Sequence, residues 1–189
     1  YLHIPFCKRI CSYCDFYKVG LLELLPRVVE NLHRELDERS SYLSERRLTS
    51  IYFGGGTPSL LQPAEIERLI NHAREIFDCS SVEEITIEAN PDDITEEYAE
   101  ALKQTSVNRV SLGIQSFDDR VLQFMNRRHT GAEAEKAVKR LRMIGINNIS
   151  IDIIFGIAGF GASHLDESLQ RAINLDVEHI SAYHLTIEE

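Results

Sequence analysis

Residues 1–16, YLHIPFCKRICSYCDF, join a short apolar segment to a loop that carries three of the four cysteines of the chain. The apolar alternation in residues 1–4 predicts a first β-strand. Cys7, Cys11 and Cys14 follow it at spacings of four and three positions. Iron–sulfur clusters are bound by thiolates, and one loop with this spacing can hold three corners of a cubane. The fourth iron would then keep an open position for a small molecule, as catalytic metals do.

Other arrangements of the three thiols compete with the iron–sulfur interpretation. A zinc site would combine the cysteines with His3 or with a histidine distant in the sequence. A disulfide plus one free thiol needs an oxidising compartment, which nothing else in the sequence supports. Three thiols without any ligand would be prone to oxidation in a polar loop. The spacing favours the cluster, and the zinc site is the main alternative.

Downstream of this loop, short apolar runs alternate with longer amphipathic stretches, which predicts repeated strand–helix units. The predicted strands cover residues 1–4, 48–53, 84–89, 109–114, 149–155 and 179–187. The predicted helices cover residues 24–43, 64–77, 96–104 after an N-cap at Thr95, and 163–175, with a broken helical region that ends at Gly145. Six strands with helical crossovers predict an α/β fold with a parallel sheet, either doubly wound or part of a barrel. The strand at 149–155 has β-branched residues on both faces, as expected for a strand buried on both sides.

Composition and charge exclude several classes of protein. The chain has 189 residues, of which 43% are hydrophobic, so it can bury a real core. Its net charge of −10 argues against a nucleic-acid-binding protein, since such proteins present clustered Lys and Arg. No apolar run approaches the roughly 20 residues that cross a bilayer, and no signal peptide is recognisable. We therefore expect a cytoplasmic protein without a membrane span. Cys79 is expected to be a small residue near a helix end.

Three stretches of the sequence resemble a known family. Cys-x₃-Cys-x₂-Cys with an aromatic residue before the last cysteine resembles the radical S-adenosylmethionine (SAM) superfamily. The stretches HIPFCKRICSYCDF (3–16), GGGTPS (54–59) and LGIQSFDD (112–119) resemble the oxygen-independent coproporphyrinogen III oxidase family, which includes a branch of haem chaperones. The resemblance covers residues 1–189 and implies one radical SAM core domain, a parallel partial (β/α)₆ barrel. Members of the family are longer, so their C-terminal region is expected to be absent from this chain.

The resemblance also implies cofactors and the residues that bind them. Cys7, Cys11 and Cys14 would hold a [4Fe–4S] cluster, and SAM would bind the open iron through its amine and carboxylate. An electron from the cluster would then cleave SAM to a 5′-deoxyadenosyl radical. The residues that the resemblance assigns to SAM binding are Tyr1, Tyr13, Gly55, Gly56, Thr57, Glu88, Gln115, Arg127 and Asp152. The expected partners are an electron donor and haem or a coproporphyrinogen-like tetrapyrrole, with haem a further ligand in the chaperone branch.

Several of these positions are also unusual on their own terms. Residues 54–56 are glycines, which let the backbone approach a ligand closely, and they lack the GxxxxGK[ST] pattern of a phosphate loop. Glu88 and Gln115 stand at strand ends. Asp152 lies inside an apolar strand, where a carboxylate is costly unless it is paired. The alternative is that such a carboxylate has a structural role, in which backbone amides or an arginine satisfy its hydrogen bonds.

Two adjacent arginines and one aromatic residue refine these expectations. Arg127 can hold a carboxylate of SAM or of a tetrapyrrole in a bidentate manner, whereas Arg128 is expected on the solvated surface. Oxidases of the family usually carry a further cysteine two places after the third cluster ligand, and this chain has Phe16 there. The substitution favours a haem-carrying chaperone. The alternatives are an oxidase that decarboxylates coproporphyrinogen propionates to vinyl groups and, from another class, a zinc-stapled structural module.

Overall fold

A sheet of six parallel strands forms the centre of the computed structural model, which describes residues 1–42 and 44–186. The strands are β1 (Leu2–Ile4), β2 (Ser50–Gly55), β3 (Glu84–Ala89), β4 (Arg109–Gln115), β5 (Asn148–Phe155) and β6 (His179–His184). Each strand pairs with the next one in the sequence, so the order is β1-β2-β3-β4-β5-β6. A doubly wound sheet reverses its strand order at a switch point. The sequential order is instead that of a (β/α) barrel, and it confirms the predicted α/β fold.

In the described part of the chain, six α-helices connect these strands. They are α1 (Leu25–Glu38), α2 (Pro63–Ile76), α3 (Glu96–Leu102), α4 (Asp119–Phe124), α5 (Gly131–Met143) and α6 (Ala162–Asn174). Short 3₁₀ turns precede α1, α2 and α3. Within the described residues, no helix has the length and apolar character needed to span a membrane.

Local sequence signals explain where several helices begin and end. The Thr95 hydroxyl accepts a hydrogen bond from the backbone N–H of Tyr98 (3.1 Å), which confirms the predicted N-cap of α3. The broken helical region is two helices, separated at Asn126, whose φ of +58° is left-handed. Gly145 follows the end of α5 with a φ of +93°, as a C-terminal glycine often does.

Two predicted boundaries extend too far. The helix predicted for residues 24–43 ends at Glu38, because no apolar residue continues its periodicity in the polar segment 39–41; Leu43 lies outside the described residues. The strand predicted for residues 179–187 ends at His184, and Ile187 is likewise outside the described part of the chain.

The two faces of the sheet differ in polarity. The face toward the helices is apolar, and in β5 it carries the buried residues Ile149, Ile151 and Ile153. The other face of β5 carries Ser150 and Asp152, which stand in register with polar residues of neighbouring strands. The expected burial of β5 on both sides is confirmed, and Ile154 is a β-branched residue on the second face, but that face also carries polar groups because it lines the interior of the partial barrel.

Candidate functional site

A cavity of about 500 Å³ lies at the C-terminal ends of the strands, where parallel α/β folds place their ligands. Its wall includes every predicted site residue except Tyr1: Cys7, Cys11, Cys14, Tyr13, Gly55, Gly56, Thr57, Glu88, Gln115, Arg127 and Asp152. These residues come from the loop after β1 and from β2, β3, β4 and β5 or the segments that follow them. The topology thus brings together residues that are up to 145 positions apart in the sequence (7 to 152).

The glycine loop after β2 packs directly against the cysteine loop. The backbone N–H of Gly56 donates to the carbonyl of Ile4 (2.9 Å). A Cβ at Gly56 would lie 2.7 Å from the carbonyl oxygen of Phe6 and 3.0 Å from Cys7 Sγ. The Thr57 hydroxyl lies 3.6 Å from the same sulfur and is placed to donate to it. Glycine at 56 is therefore needed for close contact between the two loops.

The segment after α4 holds the other end of the cysteine loop. The backbone N–H of Ser12 donates to the carbonyl of Met125 (3.3 Å), and the Ser12 hydroxyl donates to that of Phe124 (3.2 Å). The side-chain amide of Asn126 donates to the carbonyl of Ile10 (2.8 Å). The left-handed backbone at Asn126 directs this segment toward the loop. The cysteine loop is thus fixed by contacts that span more than 110 positions of sequence.

Arg127 connects the cysteine loop with the ends of β3 and β4. Its Nη1 lies 3.4 Å from Cys11 Sγ and 3.4 Å from the Tyr13 hydroxyl. Its Nη2 donates to the Asn90 side chain and to the carbonyl of Gly113. The buried Nε–H has no partner among the described residues. A buried guanidinium with an unused donor is suited to bind an anionic group such as a carboxylate.

Asn90 is a cavity residue that the sequence analysis missed. It accepts from Arg127 and donates through Nδ2 to the Thr57 hydroxyl (3.3 Å). It therefore joins the arginine to the glycine loop. Its position directly after β3 was the available signal, since the same strand-end argument had selected Glu88 and Gln115.

The strand-end residues Glu88 and Gln115 differ in their surroundings. Glu88 accepts from the Tyr52 hydroxyl (2.7 Å) and from the backbone N–H of Gly55 (3.0 Å). The Glu88 carboxylate is thus satisfied in part by a backbone amide, which was the structural alternative for it. It also lines the cavity. Gln115 is buried with a φ of +69°, a strained value for a residue other than glycine. Such strain is often found at functional sites.

Asp152 is a largely desolvated carboxyl group on the polar face of β5. Burial, and then the negative charge of Glu88, raise its pKa to about 6. At neutral pH the group is still mostly ionised, and keeping that charge in its desolvated position costs stability.

Replacement Asp152→Asn is therefore expected to stabilise the cofactor-free protein at pH 8. A carboxyl group whose folded pKa lies above its unfolded value contributes stability at low pH and loses it as the pH rises through about 6. After allowance for partial exposure, we expect a gain of about 1–2 kcal/mol at pH 8 and about half of that gain at pH 5, because the effect develops between the unfolded pKa near 3.9 and the folded pKa of about 6. Thermal unfolding at the two pH values measures it; an equal melting-temperature difference at both would contradict the prediction.

His129 lies behind Arg127 and is buried. Its Nε2–H donates to the carbonyl of Ile114 (3.0 Å), while Nδ1 has no partner among the described residues. Burial, and then the charge of Arg127, lower its pKa to about 3. The imidazole is therefore neutral in the folded protein at neutral pH, and protonating it requires a buried charge beside a guanidinium.

Acidification is consequently expected to destabilise the protein through His129. Its folded pKa lies below the unfolded value near 6.5, so its contribution to stability is complete above pH 6.5 and decreases as the pH falls toward about 3. Between pH 7 and 5 the loss approaches about 2 kcal/mol. Chemical unfolding at several pH values should show a smaller pH dependence for His129→Gln; an identical dependence would argue against this role.

Three further residues lie outside the cavity or away from the position that the sequence predicted. Tyr1 is 73% exposed, stacks on Tyr52 with ring centroids 5.9 Å apart, and contacts His3 through its hydroxyl. His3 is exposed as well. Arg128 is not on the solvated surface: it bonds to two successive carboxylates, Asp92 (2.9 Å) and Asp93 (3.2 Å), with its side chain only 18% exposed.

The donor set of the cysteine loop fits a cluster better than a single metal ion. Among the described residues, no three His, Cys, Asp or Glu side chains converge where one metal ion could sit. Each thiolate of a cubane binds a different iron, so three sulfurs that border one cavity without converging suit such a group. Cys79 lies apart, near the end of α2, where its thiol approaches the carbonyl of Ala73 (4.0 Å).

Comparison with known proteins gives a consistent result. The sequence model of the radical SAM superfamily matches residues 1–172. The chain is 37% identical over 190 aligned positions to the heme chaperone HemW of Lactococcus lactis, covering 100% of this chain and 49% of that protein. The HemW of Bacillus subtilis is also 37% identical, with 50% of its length covered. The chain therefore spans about half the length of these curated relatives.

Solved structures show the same similarity. Coproporphyrinogen III oxidase (HemN) from Escherichia coli, described as a radical SAM enzyme, superposes with a TM-score of 0.88 at 28% identity, covering 98% of this chain and 43% of that one. The hydrogenase maturase HydG from Carboxydothermus hydrogenoformans superposes with a TM-score of 0.65 at 21% identity, covering 98% and 44%. The second similarity extends to the fold alone.

Proposed function

Because the chain belongs to the radical SAM superfamily, we propose that its cavity binds a [4Fe–4S] cluster at Cys7, Cys11 and Cys14 and SAM beside it. The observation that carries the proposal is the presence of three thiols, a buried arginine and two carboxylates around one cavity at the strand ends. A bound cluster supplies the single electron for reductive cleavage of SAM.

The residues around the cavity support binding of the parts of SAM. Arg127 would hold the carboxylate of the methionyl group, since it is buried and has an unused donor. Glu88 and Asp152 would accept hydrogen bonds from the amine or the ribose hydroxyls. Gly55 and Gly56 allow backbone groups to approach the ligand closely. Thr57, Tyr13 and Gln115 complete the wall, and Tyr1 stays a predicted contact at the rim.

For the whole protein we propose a role in haem metabolism as a haem-chaperone-like member of the superfamily. The proposal is supported by the similarity to HemW proteins along the entire chain. Haem or a related tetrapyrrole would be the ligand, and an electron donor would be a further partner. A cytoplasmic location and the lack of nucleic-acid binding stay predictions from composition.

The similarity to HemN favours a second candidate, an oxygen-independent coproporphyrinogen III oxidase. Phe16 argues against it, because oxidases of the family usually have a cysteine at this position. The Phe16 side chain borders the cavity and is 73% exposed. It supplies an apolar surface at the cavity mouth in place of a further thiol.

Anaerobic reconstitution of the full-length protein with iron and sulfide tests the proposal. Electron paramagnetic resonance of the reduced protein should give a [4Fe–4S]⁺ signal that changes when SAM is added. Tight zinc binding with no cluster would instead indicate a zinc-stapled module. Measuring haem binding and coproporphyrinogen decarboxylation on the same preparation then separates the chaperone from the oxidase.

A further inference from the structure

Asp93 is a buried carboxylate outside the cavity wall that bonds to three separate segments of the chain. Its side chain is only 3% exposed. Oδ1 accepts from Lys8 Nζ (2.8 Å) and from Arg128 Nη2 (3.2 Å), and Oδ2 accepts from the Ser59 hydroxyl (2.8 Å). Two cations and a hydroxyl thus satisfy one carboxylate, as a buried charge requires.

Each partner of Asp93 belongs to a part of the proposed cofactor site. Lys8 follows Cys7 directly and lies in the first gap of the cysteine motif. Ser59 ends the GGGTPS stretch, and its hydroxyl also accepts from the backbone N–H of Asn90 (3.2 Å). Arg128 is the neighbour of Arg127. One side chain therefore sets the positions of the cysteine loop, the glycine loop and the arginine segment relative to one another.

The Lys8 contact differs from the other two in what it can order. Arg128 and Ser59 are largely buried, and Ser59 lies within the 3₁₀ turn that precedes α2. Lys8 lies in a loop, and its side chain is 45% exposed. Free loop residues lose conformational entropy when they are ordered, and a charge-assisted hydrogen bond to a fixed acceptor offsets that loss. We call this Lys8–Asp93 ion pair the tether. It joins two residues that are 85 positions apart in the sequence.

We propose that Asp93 is a positioning residue which, through Lys8, holds the cysteine loop in its cluster-binding conformation before iron is present. The inference rests on the proposed function of that loop as a cluster site. The Lys8 ammonium would then preorganise the loop, because the conformational entropy of the loop is lost during folding rather than when the cluster binds. A purely structural Asp93, in contrast, would act on the turn after β3 and leave the thiols unaffected.

Thiol alkylation of the iron-free full-length protein tests the proposal without any cluster. Lys8→Met removes the ammonium from a half-exposed position and leaves Asp93 paired with Arg128 and Ser59, so the fold is retained. We expect iodoacetamide to modify Cys7 and Cys11 about fivefold faster in this variant, because the loop opens more often. Cys79 provides an internal reference whose rate should not change, and the melting temperature should stay that of the parent protein.

Matched variants separate the tether from other effects. Lys8→Arg restores the charge and should return the rates close to those of the parent protein. Lys136→Met, at an exposed position on α5, should leave them unchanged. Asp93→Asn should accelerate alkylation, and adding Lys8→Met to it should give no further increase if both act through one contact.

The outcomes distinguish this inference from the proposed function. Unchanged alkylation in Lys8→Met, or equal acceleration in Lys8→Arg, would overturn the role of the tether. Failure of the parent protein to assemble a cluster would overturn the proposed function, while the alkylation rates would still report on the loop. If both proposals hold, reconstituted Lys8→Met should also assemble its cluster more slowly than the Lys136→Met control.

Discussion

Replacing Cys7 with alanine is expected to reduce the iron and sulfide content of the reconstituted protein to background and to remove its paramagnetic signal. The loop provides three thiols, and a cubane held by only two protein ligands is not retained. Cys7 Sγ lies 3.6 Å from the Thr57 hydroxyl, so its sulfur is held against the glycine loop. Iron and sulfide analysis with spectroscopy of the reduced sample measures the loss.

Cys79→Ala is the matched control for this experiment. Cys79 is a half-buried thiol near the end of α2, outside the cavity wall. The control should keep the cluster and its response to SAM. A Cys7→Ala protein that still assembled a cluster, or a Cys79→Ala protein that did not, would show that the ligands have been assigned to the wrong cysteines.

Gly56→Ala is expected to displace the cysteine loop from the glycine loop. The added Cβ would lie 2.7 Å from the backbone carbonyl oxygen of Phe6, which cannot move aside as a flexible side chain would, and 3.0 Å from Cys7 Sγ. Forcing a methyl group into such a contact typically costs about 1–3 kcal/mol. For a chain of this size the melting temperature should fall by roughly 2–12 °C, and cluster assembly should be severely reduced.

Gly20→Ala tests whether the effect comes from the contact or from any change of glycine near this loop. A Cβ at Gly20 would meet no heavy atom within 4 Å, and Gly20 does not have a left-handed φ. This variant should unfold within about 1 °C of the parent protein, since an exposed substitution free of clashes changes stability little. Equal losses in the two variants would count against the loop contact.

The sequence was sufficient for the sheet and for part of the cavity wall. Apolar periodicity located all six strands, and the rule that ligands bind at strand ends selected Glu88 and Gln115 before their neighbours were known. Both features depend on local patterns, which a single sequence carries. The family resemblance, rather than periodicity, identified Arg127 and Tyr13.

Contacts between residues distant in sequence could not be predicted in this way. Arg128 looked like a surface residue because nothing near it indicated that Asp92 and Asp93 would be its partners. Asn90 was not singled out, since its partners Arg127 and Thr57 are 37 and 33 positions away in the sequence. The neighbours of the polar residues of β5, which are Ser111, His179 and Ser181, could be identified only once the strand was aligned in the sheet.

The attachment of the cysteine loop has a consequence for the order of events during synthesis on the ribosome. The loop is among the first segments of this chain to emerge, yet it is held by the side chain of Asp93 and by the segment around Asn126. At roughly 5–20 residues per second, the nascent thiols wait about ten seconds for those partners. During that interval they are unprotected nucleophiles. Assembly of the proposed cluster is therefore expected only after residues 93–126 have been translated and the loop has reached these neighbours.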